Sequence, residues 1–264
     1  MALRRTFLAA LAFAWVAACA TPPTPPDVEA RQTLAPSGKL RVGVYPGSPS
    51  SWVKGPAGED RGVTIEIGRE LASRLGVPYE QVEFPRVAAI LDALKSGQVD
   101  FTVTNATPAR ARDMSFTEPL LALELGYLVL PGSRVTSIAE VDRPGIKVGV
   151  SEGSTSQGTL GRELNNAVVV PAPSLKAAAD MLSKGQIDTF ATNKAILFEM
   201  SDQLPGARVL AGRWGLEHVA IAIPHGREAG MAYLRGFAEE AKATGQVARA
   251  AERAGLRGML PESR

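Results

Sequence analysis

Two segments of this chain end in the same polar pair. Leu94 to Asn105 reads Leu-Lys-Ser-Gly-Gln-Val-Asp-Phe-Thr-Val-Thr-Asn, and Leu182 to Asn193 reads Leu-Ser-Lys-Gly-Gln-Ile-Asp-Thr-Phe-Ala-Thr-Asn. Another related pair precedes them in the same order, Leu40 to Ser48 and Ile146 to Ser154, each an apolar run that closes on Gly-Ser. Hydroxyls and amides at the tips of apolar strands donate and accept hydrogen bonds without carrying a reaction, which is the chemistry of holding a ligand. Open α/β sheets bind ligands beyond the carboxyl ends of their strands. The duplicated tips are therefore expected to line a cleft between two similar lobes.

Signals for catalysis are weak by comparison. His218 and His225 lack metal-ligand spacing. No phosphate-binding glycine loop occurs. Ser51-Trp52-Val53-Lys54 matches Ser-x-x-Lys, but Gly55-Pro56 follows, so the serine does not open a helix as that chemistry requires. Glu152 and Glu199 are the residual carboxylates for a general acid, and Glu217-His218 reads as a structural pair near a hinge. No metal or cofactor is expected.

The elements that must position the tips follow from periodicity. Leu40 to Val44 is a buried strand, and Gly62 to Leu75 has helical spacing closed by Gly76-Val77-Pro78. A strand at 82–84, a helix from Val87 to Leu94 and a strand at 99–103 complete a β-α-β-α-β unit. The second unit repeats it with strands at 146–150, 167–170 and 187–191 and helices at 154–164 and 174–183. Residues 125–131 carry the chain out of the first lobe and 218–223 bring it back. Helices at 228–243 and 246–254 then rejoin the first lobe, and two crossings make a hinge. The expected division is 38–124 with 213–258 for lobe 1, and 125–212 for lobe 2.

The ends read differently. Arg4 and Arg5 followed by the apolar run Phe7 to Ala18 form a signal peptide over residues 1–18, too short for a bilayer span. Val16-Ala17-Ala18-Cys19 resembles a bacterial lipobox, so Cys19 is expected to be lipidated; an ordinary signal cut near Ala20 is the alternative. Arg4-Arg5-Thr6-Phe7-Leu8 also suits twin-arginine export. Residues 19–37, with Pro22, Pro23, Pro25, Pro26 and Pro36, are expected to be an extended tether. Loss of Arg4 and Arg5 brings the 29 basic residues to 27, level with the 27 acidic ones. A neutral body offers no electrostatic footprint for nucleic acid. The sole cysteine, Cys19, permits no disulfide within the chain.

Thr107-Pro108-Ala109-Arg110 and Phe116-Thr117-Glu118-Pro119, together with Lys39 to Gly43 and Gly153-Ser154-Thr155, resemble segments of the family 3 extracellular solute-binding proteins, the polar amino acid type of ABC importer receptor. The likeness runs from about Gly38 to Gly255. It implies a type II periplasmic binding protein fold, α/β, with two lobes of mostly parallel sheet and a two-crossing hinge. It also implies a monomer in the periplasm that hands a small solute to ABC permease subunits and meets the membrane only through its lipid. Cleft enzymes such as cyclohexadienyl dehydratase share the fold, and a ligand sensor working through a partner is a further alternative.

The resemblance assigns Arg110 to the ligand carboxylate, which its planar fork of donors suits; otherwise it caps the short helix after Pro108. Asn105 stands where the family contacts the same ligand group. Ser154 and Thr155 begin a helix whose free N–H groups suit an anion, though Ser154 could simply cap it. Relatives commonly carry an aspartate for the ligand ammonium where this chain has Asn193, and Thr64 stands where many have an acid. The expected ligand is therefore a carboxylate or other anion without an α-amino group, or an amino acid-like compound. The family's aromatic platform aligns near Ser48, leaving Tyr45 and Trp52 either to contact the ligand or to anchor their own loop. Trp214 is expected to pack at the hinge.

Overall fold

The computed structural model describes residues 28–260. In chain order the elements are α1 (Val28–Leu34), β1 (Leu40–Val44), the short hairpin β2 (Val53–Lys54) and β3 (Asp60–Arg61), α2 (Val63–Leu75), β4 (Tyr79–Glu83), α3 (Val87–Lys95), β5 (Thr102–Asn105), β6 (Met114–Phe116) and β7 (Leu121–Val129). There follow β8 (Lys147–Ser151), α4 (Thr155–Glu163), β9 (Val168–Ala172), α5 (Leu175–Ser183), β10 (Thr189–Asn193), α6 (Lys194–Gln203), β11 (Arg208–Val209), β12 (Gly215–Pro224), α7 (Met231–Ala243) and α8 (Gln246–Arg253).

The two halves are built alike. In the first, β4 lies parallel to β1, Val42 of β1 bridges in parallel to Phe101 just before β5, and β5 pairs antiparallel with β12. In the second, β9 lies parallel to β8, β8 to β10, and β10 pairs antiparallel with β7. Each half thus sets its second, first and third strands side by side and ends on a long antiparallel strand. Those two long strands pair with each other from Gly215 opposite Leu125 to Val219 opposite Leu121. They are the two crossings of the hinge, and they carry hydrogen bonding unbroken from one lobe to the other.

Burial explains the strand sequences. Thr189 to Asn193 is buried throughout, as is Val148 to Ser151, because helices cover both faces of a parallel sheet. Lobe 1 packs Val42, Ile65, Leu71 and Phe101 against Leu234 and Phe237 of α7, which explains why the C-terminal helices return to it. Lobe 2 has its own cores around Val148 and Val150 and around Phe190 and Leu197. Phe101 and Phe190, near the matched ends of the two repeated segments, are both fully buried.

The tether expected over residues 19–37 needs correction at its end. Val28–Leu34 is helical, with Ala30 and Leu34 buried in the lobe 1 core. Seven residues do not hold a helix alone, so docking supplies its stability. Leu34 meets Gly230, where an added Cβ would come within 2.7 Å of it. The signal peptide and Cys19 lie outside the described residues. No helix among the described residues is long and apolar enough to cross a membrane.

Candidate functional site

The carboxyl ends of β5 and β10 meet the start of α4 and the first residues of β12 around one small cavity of about 40 Å³. Its lining includes Tyr45, Asn105, Arg110, Ser154, Thr155 and Asn193, with Thr104, Arg86 and Glu217. A larger outer cleft of about 540 Å³ shares Arg110, Ser154 and Thr155 and opens toward solvent between α3 and α4. The inner volume has room for roughly three waters.

Arg110 begins a single 3₁₀ turn, and its backbone N–H donates to Thr107 Oγ1 at 3.2 Å. Its Nη1 donates to Thr104 Oγ1 at 2.9 Å and to the Asn105 carbonyl at 3.1 Å, which aims the guanidinium into the cavity. Nε and Nη2 make no hydrogen bond to the described residues. Burial lowers the Arg110 pKa, opposed by the charge of Glu217 and by Tyr45. A guanidinium remains charged under such a shift, so the cavity contains a cation with donors to spare.

Asn105 is held on both sides. Its Oδ1 accepts from His218 N at 3.0 Å and its Nδ2 donates to Thr155 Oγ1 at 3.3 Å, a bond from lobe 1 to lobe 2. Thr155 passes its hydroxyl hydrogen to Glu217 Oε1 at 3.2 Å. Asn193 is buried, accepts on Oδ1 from Ile196 N at 3.1 Å as the cap of α6, and donates from Nδ2 to Glu217 Oε2 at 3.0 Å. Ser154 caps α4, accepting from Gln157 N at 3.2 Å, and also lines the cavity.

Tyr45 extends from lobe 1 onto the lobe 2 core around Leu175 and Phe190. Burial pushes its phenol up to about 12, with the Ser48 hydroxyl opposing. The expectation that Ser48 meets the ligand needs correction, whereas Trp52 takes the second of its two expected roles. Ser48 is fully buried and bonds the Ser50 hydroxyl at 3.0 Å, because its loop folds inward; it does not line the cavity. Trp52 anchors its own loop, donating from Nε1 to Asp60 beneath the Lys54 ammonium and packing on the lobe 1 core. Trp214 does pack at the hinge, tilted against Tyr127 and donating to the Gly126 carbonyl at 3.0 Å.

The lobes also touch at the rim. Arg86 at the start of α3 pairs with Glu152 at 3.2 Å. Gly153 lies so close to Ala88 that an added Cβ would sit 2.5 Å from the alanine Cβ.

The residue that sequence reasoning placed elsewhere is Glu217. On β12 it shares parity with Val219, Ile221 and Ile223, whose side chains are buried, so it belongs to their face. A charged residue in step with a buried stripe was the available signal. Among the described residues Glu217 forms no ion pair, and no group of three or more His, Cys, Asp or Glu gathers to hold a metal.

A profile of bacterial extracellular solute-binding proteins, family 3, matches residues 40–255. The ABC transporter glutamine-binding protein GlnH of Bacillus subtilis (strain 168) is 26% identical over 196 residues, covering 72% of this chain and 71% of the relative. An ancestral arginine-binding protein bound to glutamine superposes with a TM-score of 0.73 at 26% identity, covering 82% of this chain and 97% of the other. The solute receptor for L-cysteine of Neisseria gonorrhoeae superposes with a TM-score of 0.77 at 23% identity, covering 89% of this chain and 99% of the other. The architecture is the type II periplasmic binding protein fold, and the chain belongs to the bacterial extracellular solute-binding proteins of family 3.

Proposed function

We propose that this protein is the substrate-binding component of an ABC importer, capturing a small carboxylate-bearing, amino acid-like solute between lobes of residues 38–124 with 213–258 and residues 125–212. One observation carries the reading: Arg110 presents Nε and Nη2, without partners among the described residues, to a cavity walled by both lobes. A guanidinium so placed takes a carboxylate bidentately. Thr104 and the Asn105 carbonyl aim it, while Thr155 and Ser154 bring the α4 N-terminus to the same ligand group. The relatives support the class of solute, since their names record glutamine, arginine and L-cysteine as ligands.

The protein acts as a periplasmic monomer, tethered through lipid on Cys19, and delivers its solute to permease subunits without chemical change. Mass spectrometry of the protein under native conditions, after purification from its own cell envelope, tests this. The expected spectrum contains a one-to-one adduct of a small acid or amino acid, released intact on denaturation and missing from Arg110→Met. Release of a chemically altered product on incubation would overturn the binding role.

A further inference from the structure

We infer that Glu217 supplies the negative charge that holds the ligand's ammonium group, so that the solute is a zwitterion with an amine beside its carboxylate. The inference rests on the binding reading above and names the class of solute within it.

Asparagine at 193 removes a charge from the β10 tip, but the cavity is not left without one. Glu217 reaches the same tip from β12, 3.0 Å from Asn193 Nδ2 and 3.2 Å from Thr155 Oγ1. Both partners are neutral donors. Each uses one lone-pair position on a different oxygen, and a carboxylate offers about four, so each oxygen can accept another hydrogen. Arg110 faces it across the same cavity, near enough to interact through charge but beyond ion-pair distance.

The cavity therefore presents one anion and one cation, each only partly satisfied. A solute bearing a carboxylate alone would pair Arg110 and set a second negative charge in the same cavity as the half-buried Glu217, which would be left without a countercharge. An α-amino acid satisfies both, with its carboxylate on Arg110 and its ammonium on Glu217. Asn193 becomes the positioning residue, capping α6 with Oδ1 and fixing the glutamate with Nδ2. An aspartate there would place like charges about 3 Å apart.

The test is calorimetry on the mature protein with the twenty L-amino acids and their 2-hydroxy acid counterparts, which replace the ammonium by a hydroxyl. Wild type is expected to bind at least one amino acid and to bind its hydroxy acid about 100-fold more weakly. Glu217→Gln should lose about 100-fold in affinity for the amino acid, with hydroxy acid binding unchanged or improved. Glu217→Asp keeps the charge and should retain the preference for the amine, which preserves the test if Glu217→Gln folds poorly. Equal binding of amino and hydroxy acids by wild type, or binding of the amino acid by Glu217→Gln within about threefold of wild type, overturns the inference while leaving the carboxylate reading standing. Binding of neither class overturns both.

Discussion

Asn193 donates from Nδ2 to Glu217 at 3.0 Å while its Oδ1 accepts from the backbone of Ile196. One amide thus joins the tip of β10, the start of α6 and the hinge strand β12. Aspartate in its place keeps the cap, since its oxygen still accepts from Ile196, but turns the other half of the contact into repulsion.

Asn193→Asp is therefore expected to weaken amino acid binding at neutral pH. One of the two carboxyl groups should take up a proton, with an apparent pKa well above the usual carboxylate range. Carbonyl-labelled infrared or NMR titration of the variant reads that proton directly. Tighter binding at neutral pH without such a titration would contradict the role given to Glu217.

Gly153 adopts φ +71° at the rim, and an added Cβ there would lie 2.5 Å from the Ala88 Cβ. Gly153→Ala should cost about 1 kcal/mol or more in stability through the left-handed backbone alone. It should also weaken binding by keeping the lobes apart. Adding Ala88→Gly removes the clash but not the backbone strain, so the double variant should regain affinity without regaining its melting temperature. Thermal melts and titrations on both variants separate the two effects, and recovery of both or neither would contradict the contact.

Tyr45 provides a pH handle. Burial raises its phenol to about 12, against roughly 10 in the unfolded chain. Between those values the unfolded chain releases a proton that the folded one keeps, so the stabilisation is complete below about pH 10 and is lost as pH rises through about 12. Tyr79, also raised to about 12 by burial, contributes in the same direction. Tyr45→Phe should make the alkaline fall in urea midpoint shallower, and an unchanged slope would mean that this phenol titrates freely.

Much of the architecture is legible because the repeat is written in short apolar runs bounded by glycine. Strand Leu40–Val44 and helix Leu175–Ser183 follow directly from burial periodicity. The strand expected at 82–84 instead spans Tyr79–Glu83, because its pairing with β1 sets its limits and its own residues are half-exposed. Helices α1 and α6 escape notice for different reasons. The first is too short to hold without its docking partner, and the second follows β10 without a break, its cap being the last residue of the strand. Asn105, Thr155 and Asn193 were legible as strand tips and a helix start, and Arg110 only through its resemblance to a family segment. Glu217 was not, because its role depends on which face of the hinge strand meets a tip distant in sequence.

The carboxylate clamp is the centre of this account, and Arg110→Met is its most direct probe. Methionine fills similar apolar volume, so the fold should persist, with a melting temperature near that of the unliganded wild type. Calorimetric titration with the best-binding L-amino acid is expected to show a loss of about 100-fold or more, the cost of leaving a buried carboxylate without its partner. Affinity within about threefold of wild type would contradict the assignment of Arg110 and, with it, the cleft as the site of capture.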